Sequence, residues 1–329
     1  MKKCVQRILS IVIVLSICLS AFTINASAFG GYMHWSIATL RMGLDDSINL
    51  SEDIKLAYKS GCLLADIGAV FMDNNSNFNT DGLAFTQAIY DLAMLENDEL
   101  IEAFAFGWRD HYIHDNIGNA NYLYYDNQTK GPYNNYHKNC GWIDEFFRDS
   151  YRDEDLNVSL VEDYPINGLT TNPIYVNYDL IQGAYLLLGE SAPSISTINI
   201  NINAMCAAYD TFIFLNTKGW TDAQASRILL EALIMTFSSY GVNEASPSEI
   251  ALNINEYNYE DLSFSEQVVS LFTEQDIYEL TQYFTTESTQ ISSGEALLRI
   301  TKNDIEGYNA VLNRIVSEKV SIVQNVDNS

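Results

Sequence analysis

Four histidines occur in the chain: His34, His111, His114 and His137. All fall within residues 34–137. Imidazole is the side chain best suited to moving protons or ligating transition ions near neutral pH. Its confinement to that stretch points to a site in the first half. His111 and Asp115 are four apart near the end of an expected helix, so they share a face about one turn apart. An imidazole and a carboxylate so placed can share a divalent ion. The pair also fits a helix C-terminal histidine interacting with the macrodipole and a neighbouring acid. His114, three after His111, falls on the same broad face, as a further site residue or a solvent-facing one. Asp66 sits in the apolar run CLLADIGAV over residues 62–70. An acid there is either exposed at a helix end or paired, because burying it unpaired is costly. His34 opens a stretch, residues 34–44, with Ile37, Ala38 and Arg41 along the same side at helical spacing.

The elements needed to position these residues read as mainly helical. Ser51 is an expected N-cap for a helix running to about Asp66, with Glu52 and Asp53 in its first turn. Residues 73–80 (DNNSNFNT) read as a loop. A helix is expected over 81–95, and another, capped by Asn97, over 98–115. Residues 116–138, rich in Asn, Tyr and Gly, read as a long loop of the kind that often carries function. In the second half, helices are expected over 221–239, after Ser246-Pro247, and near 264–273, 275–286 and 302–320. Residues 196–203 (STINININ) alternate like a strand. With no partner strands evident, they are better read as the start of a helix continuing through 205–215. The expected fold is all-α, a single multi-helix domain.

Composition narrows the function classes. The chain has 329 residues, 17 Lys+Arg against 43 Asp+Glu, and a formal net charge of -26. Enough apolar residues are present for a sizeable core. The acidic balance argues against a general nucleic-acid binder, which needs clustered Lys and Arg, and against docking on an anionic membrane through a basic patch. Lys2, Lys3 and Arg7 precede an apolar run over 8–24, and Ala26-Ser27-Ala28 supplies small residues for cleavage. This is a secretory signal pattern over residues 1–28, so a secreted product is expected. Its removal takes three positive charges and no negative one, leaving -29. No later stretch is long and apolar enough to span a membrane. Cys62, Cys140 and Cys206 then remain, too few for a disulfide framework. Without a CxxC pair, thiolate zinc binding has little support, and buried thiols are expected. No GxSxG nucleophile elbow is present.

Four segments, in order and spacing, carry a family resemblance: MHWSIATLRMGL, ADIGAVFMDNNSNFNTD, AFAFGWRDHYIHD and YHKNCGWID. The most specific is AFxxGWxxHYxxD. Together they resemble the zinc-dependent phospholipase C family of secreted bacterial enzymes, related in fold to fungal single-strand-specific zinc nucleases. The resemblance covers about the first 125 residues after the signal. It implies a helical core over 29–155, with 156–329 as a helical continuation. It also implies a cluster of up to three zinc ions held by His, Asp and Glu, acting on a phospholipid or related phosphodiester.

Carried residue by residue, His34 matches the early histidine and Asp66 an aspartate that binds metal or acts as a base. His111 and Asp115 match the central pair, and His137 a histidine of another zinc position. Three places depart from the pattern. Thr80 and Asp81 stand where a histidine is expected, Asn121 where a second is expected, and Gly141 where a glutamate is expected. Asp81 supplies an oxygen ligand instead. A reduced cluster of His34, Asp66, Asp81, His111 and Asp115, holding one or two ions, is the implied site. A non-catalytic secreted binding protein on the same scaffold is the alternative. A nuclease is disfavoured by the charge of -29, which would repel a polyanion.

Overall fold

The computed structural model describes residues 31–44, 50–68, 77–129, 173–215, 267–268, 271–281, 285–287, 297–299 and 302–327. The expected signal segment, His137, Gly141 and the helices expected over 221–239 and after Ser246-Pro247 lie outside these residues.

The described residues are predominantly helical, as expected of an all-α chain. Helices α1 (Gly31–Leu44) and α2 (Glu52–Leu64) come first, and α2 tightens into a 3-10 turn, Ala65–Gly68. Then follow α3 (Leu83–Glu96), α4 (Glu99–Thr129), α5 (Tyr178–Leu187), α6 (Ile195–Leu215), α7 (Glu274–Thr281) and α8 (Lys302–Asp327). Between α7 and α8 lies a short antiparallel ribbon, β1 (Thr285–Glu287) with β2 (Leu297–Arg299), in which Thr286 pairs with Leu298. No described helix is long and apolar enough to cross a membrane.

Several local expectations hold for their stated reasons. The Ser51 hydroxyl accepts from the Ile54 amide at 3.3 Å, satisfying one free amide of the first turn of α2. The ambiguous STINININ stretch is helical within α6. Ser194 caps it, accepting from the Thr197 amide at 3.1 Å.

Others are corrected. Asp98, not Asn97, caps α4, accepting from the amides of Leu100 and Ile101. Asn97 instead ends α3 in the left-handed conformation (φ 49°), which asparagine tolerates better than most residues. The loop expected from residue 116 is helix as far as Thr129. Extending a helix already nucleated is far easier than starting one, and no proline intervenes before Pro132. The helix expected over 275–286 ends at Thr281; of the one expected near 264–273, residues 267–268 are helical as expected, while residue 271 is a turn and Thr273 caps α7. Helix α5 was not anticipated. Its cap is Asn177, which accepts from the Leu180 amide at 2.9 Å, and Leu180, Ile181, Ala184 and Tyr185 form its buried stripe.

The core draws on both sides of residue 155. Trp35, Leu63, Phe85, Phe104 and Trp108 pack in one cluster with Ile181, Tyr185, Ile198 and Met205. The Ser60 hydroxyl accepts from the Tyr175 amide at 2.9 Å, tying the segment before α5 to α2.

The α2–α4 crossing is unusually close, and two glycines make it so. A Cβ at Gly61 would lie 2.0 Å from the Phe104 carbonyl oxygen, and one at Gly107 would lie 2.0 Å from that of Tyr58. Only hydrogen fits at either place, so the two backbones meet directly.

Candidate metal centre

This crossing positions the first candidate ligand. His111 lies one turn beyond Gly107 on α4, and Cys62 is beside Gly61 on α2. With the backbones in contact, His111 Nδ1 reaches the Cys62 carbonyl oxygen at 2.6 Å. A carbonyl only accepts, so Nδ1 carries the hydrogen and donates it. The lone pair of the neutral ring is therefore on Nε2. Nε2 makes no hydrogen bond among the described residues and lies 3.4 Å from Asp66 Oδ1 and 3.4 Å from Asp115 Oδ2. A backbone carbonyl fixing one ring nitrogen while the other faces carboxylates is the usual bearing of a histidine that ligates metal.

The remaining groups arrive from separate elements. Asp66 is carried by the 3-10 turn after α2 and is buried, which decides between its two sequence readings. His34, on α1, stacks on His111 with ring centres 3.8 Å apart. Its Nε2 lies 3.2 Å from Asp115 Oδ1. Asp81 is placed by its neighbour Thr80. The Thr80 hydroxyl accepts from the Gly68 amide at 2.9 Å, and its carbonyl accepts from Trp108 Nε1 at 2.8 Å. One residue thus pins the loop bearing Asp81 to the turn bearing Asp66 and to α4.

Two overlapping groups result. Ligand atoms of His34, Asp66 and His111 all lie within 4.8 Å of one another, and so do those of Asp66, Asp81 and Asp115. Five of the six candidate ligands therefore converge, with Asp66 common to both groups. The first group mixes nitrogen and oxygen donors and the second is all oxygen. His137 lies outside the described residues. Buried His and Asp groups in this arrangement can hold a metal ion.

Electrostatics agree with the geometry. Burial by itself would lower the His111 pKa, but the Asp66 and Asp115 carboxylates outweigh it and raise it well above the ordinary value. Burial would raise that of Asp115, but His111 and His34 outweigh it and lower it. Burial, and then the charge of His111, lowers the pKa of His34. Without a cation, a proton on His111 is what offsets the carboxylates. A divalent ion would offset them in its place, releasing that proton.

Two neighbours are committed elsewhere. Asp110 is fully buried and pairs with Arg41 and with Arg109 (3.0 Å), while Tyr58 donates its hydroxyl to it. With those partners it is a structural ion pair and not a free ligand. Cys62 is buried, and burial pushes its thiol up to about 12, so it stays protonated and inert. Cys206 is likewise buried and free. Both agree with the expectation of buried thiols.

His114 departs from its surface reading. It is fully buried, its ring centre is 5.7 Å from that of His34 with planes 21° apart, and burial, then His34 and His111, lower its pKa well below the ordinary value. Its i+3 spacing from His111 was the only sign of this in the sequence. Comparison of the chain with protein-family models, with curated proteins and with solved structures finds no match in any of the three.

Proposed function

We propose that the chain is a secreted, zinc-dependent phosphodiesterase of the phospholipase C kind, acting on a phospholipid or related phosphate ester. The observation that carries this reading is the aim of His111: its Nδ1–H is held by the Cys62 carbonyl and its Nε2 faces Asp66 and Asp115. The mixed group His34, Asp66 and His111 fits a borderline ion such as zinc better than magnesium or calcium, which prefer all-oxygen sites. A bound zinc ion would supply Lewis acidity to a phosphoryl oxygen and make water a better nucleophile.

The chain's own residues would do the rest. His34, His111 and Asp115 would hold the cation. Asp66, shared by both groups, would hold it or take the proton from the attacking water. Asp81 is only partly buried, whereas Asp66 and Asp115 are buried, so the substrate phosphate would enter on its side. A neutral or zwitterionic lipid surface suits the strongly negative chain better than an anionic one.

One observation favours a second reading. Every member of the cluster except Asp81 is buried, which also suits an ion that only ties α1, the 3-10 turn and α4 together in a non-catalytic binding protein.

Metal analysis of the gently purified secreted chain tests the proposal. At least one equivalent of zinc is expected, together with hydrolysis of a phosphocholine ester that Asp115→Asn abolishes. Less than one equivalent would overturn the metal reading. Bound zinc without hydrolysis, with Asp115→Asn lowering only thermal stability, would favour the structural role.

A further inference from the structure

We infer that His114 is a nitrogen ligand of the same metal centre, so that a third imidazole joins the two that face Asp66 and Asp115. The inference rests on the metal reading above and adds to it a residue outside both convergent groups.

His111 and His114 are three apart on α4 and reach the same buried region, but their surroundings differ. His111 gives its Nδ1 hydrogen to a carbonyl at 2.6 Å. His114 is equally inaccessible, yet neither of its ring nitrogens has a hydrogen-bond partner among the described residues. Buried polar atoms are nearly always satisfied, and an exception calls for a physical reason. A core position with no polar neighbour to serve would be filled more stably by an apolar residue of the same size.

No described residue satisfies His114, and a bound ion would do so. A neutral imidazole offers one lone pair and one N–H. Positive charge belongs in this region, because Asp115, the next residue on α4, is one of three carboxylates that lie within 4.8 Å of one another. The His114 ring lies nearly parallel to His34, which itself stacks on His111. A divalent cation takes the lone pair, and a water molecule can take the N–H.

The class of ion follows from the donor. Imidazole nitrogen suits zinc, cobalt or copper and not magnesium or calcium. The centre then has three imidazoles and three carboxylates: His34, His111, His114, Asp66, Asp81 and Asp115. Six such residues suffice for two ions with three protein ligands each. That leaves one open place on each ion, the pattern of catalytic zinc.

The test titrates the secreted chain and its His114→Phe variant with zinc and, separately, with cobalt(II). Phenylalanine keeps the ring volume, and thermal unfolding in chelator checks that the variant folds. For at least one equivalent, zinc affinity is expected to fall by more than about 100-fold, and the visible absorption of the cobalt form is expected to shift as a nitrogen donor is lost. Wild-type chain that binds zinc, with a folded variant matching it in affinity and cobalt spectrum, would overturn the assignment and leave the metal reading standing. Wild-type chain that binds neither ion would overturn both. A measurement on the wild type alone covers a variant that does not fold. In nitrogen-15 spectra of the histidine rings, zinc is expected to move a His114 ring nitrogen to the metal-bound range, and resonances that stay put would overturn the assignment.

Discussion

Replacing Gly107 by alanine tests how the fold aims His111. The new Cβ would lie 2.0 Å from the Tyr58 carbonyl oxygen and 2.8 Å from the Cys62 amide nitrogen. Both are backbone atoms, which no rotamer change can move aside. Real Cβ contacts are essentially never closer than 3.0 Å, so α2 and α4 must part by about 1 Å at the crossing. The same displacement stretches the 2.6 Å contact between His111 and the Cys62 carbonyl to about 3.6 Å, outside hydrogen-bonding range. Overpacking costs about 1–3 kcal/mol, and losing the hydrogen bond costs about 1 kcal/mol. The better helix propensity of alanine returns about 1 kcal/mol. The net expectation is a loss of about 1–3 kcal/mol, read as a Tm several degrees lower by circular dichroism. Zinc affinity should fall about 10- to 100-fold, because the carbonyl no longer orients the ring. Gly183→Ala serves as the control. Its nearest contact is the flexible tip of Leu92 at 3.1 Å, so its Tm should match or exceed that of the wild type. A Gly107→Ala variant that melts with the wild type and binds zinc as tightly would show that the close crossing does not aim His111.

Two further predictions concern other supports. Thr80→Val should cost about 1–3 kcal/mol by leaving the buried Gly68 amide without its acceptor, and Thr80→Ser should recover most of it. Equal urea midpoints for Val and Ser variants would show that the hydroxyl does not pin the Asp81 loop. Asp276, in the first turn of α7, accepts from the Thr273 amide and hydroxyl and lies 3.2 Å from Lys319 Nζ. Burial would raise its pKa, but these partners outweigh it and lower it. A depressed carboxylate stabilises fully above its unfolded value of about 3.9 and loses that contribution as pH falls through its folded value. Asp276→Asn should therefore flatten the acid limb of stability against pH, and an unchanged limb would show that the cluster contributes nothing.

Much of this centre was legible in the sequence because its key spacings are local. His111 and Asp115 needed only a helix between them, and the i+4 geometry of that helix is the same wherever it sits. Ser51 capping α2 is local in the same way. The family likeness extended that reading to His34, Asp66 and Asp81, and these do meet His111 and Asp115 among the described residues. Local reading went astray where a boundary depends on what the chain has already formed. Helix α4 runs through the Asn- and Tyr-rich stretch that composition marked as loop. Asn97 and Asp98, both good caps by type, serve opposite ends of two different helices.

By itself, then, the sequence determined that the chain is largely helical and strongly acidic, and that its histidines and a few of its carboxylates could act together. Three things were decided only by the tertiary structure. Asp66 is buried beside His111 and is not at a surface helix end. His114 points into the protein and not to solvent. Thr80, which no pattern marked as a support, joins Gly68 to Trp108 across 40 residues of chain. The physical reason is common to all three. Burial and hydrogen bonding between segments distant in sequence follow from which backbones can approach, and at the α2–α4 crossing two glycines, Gly61 and Gly107, permit that approach.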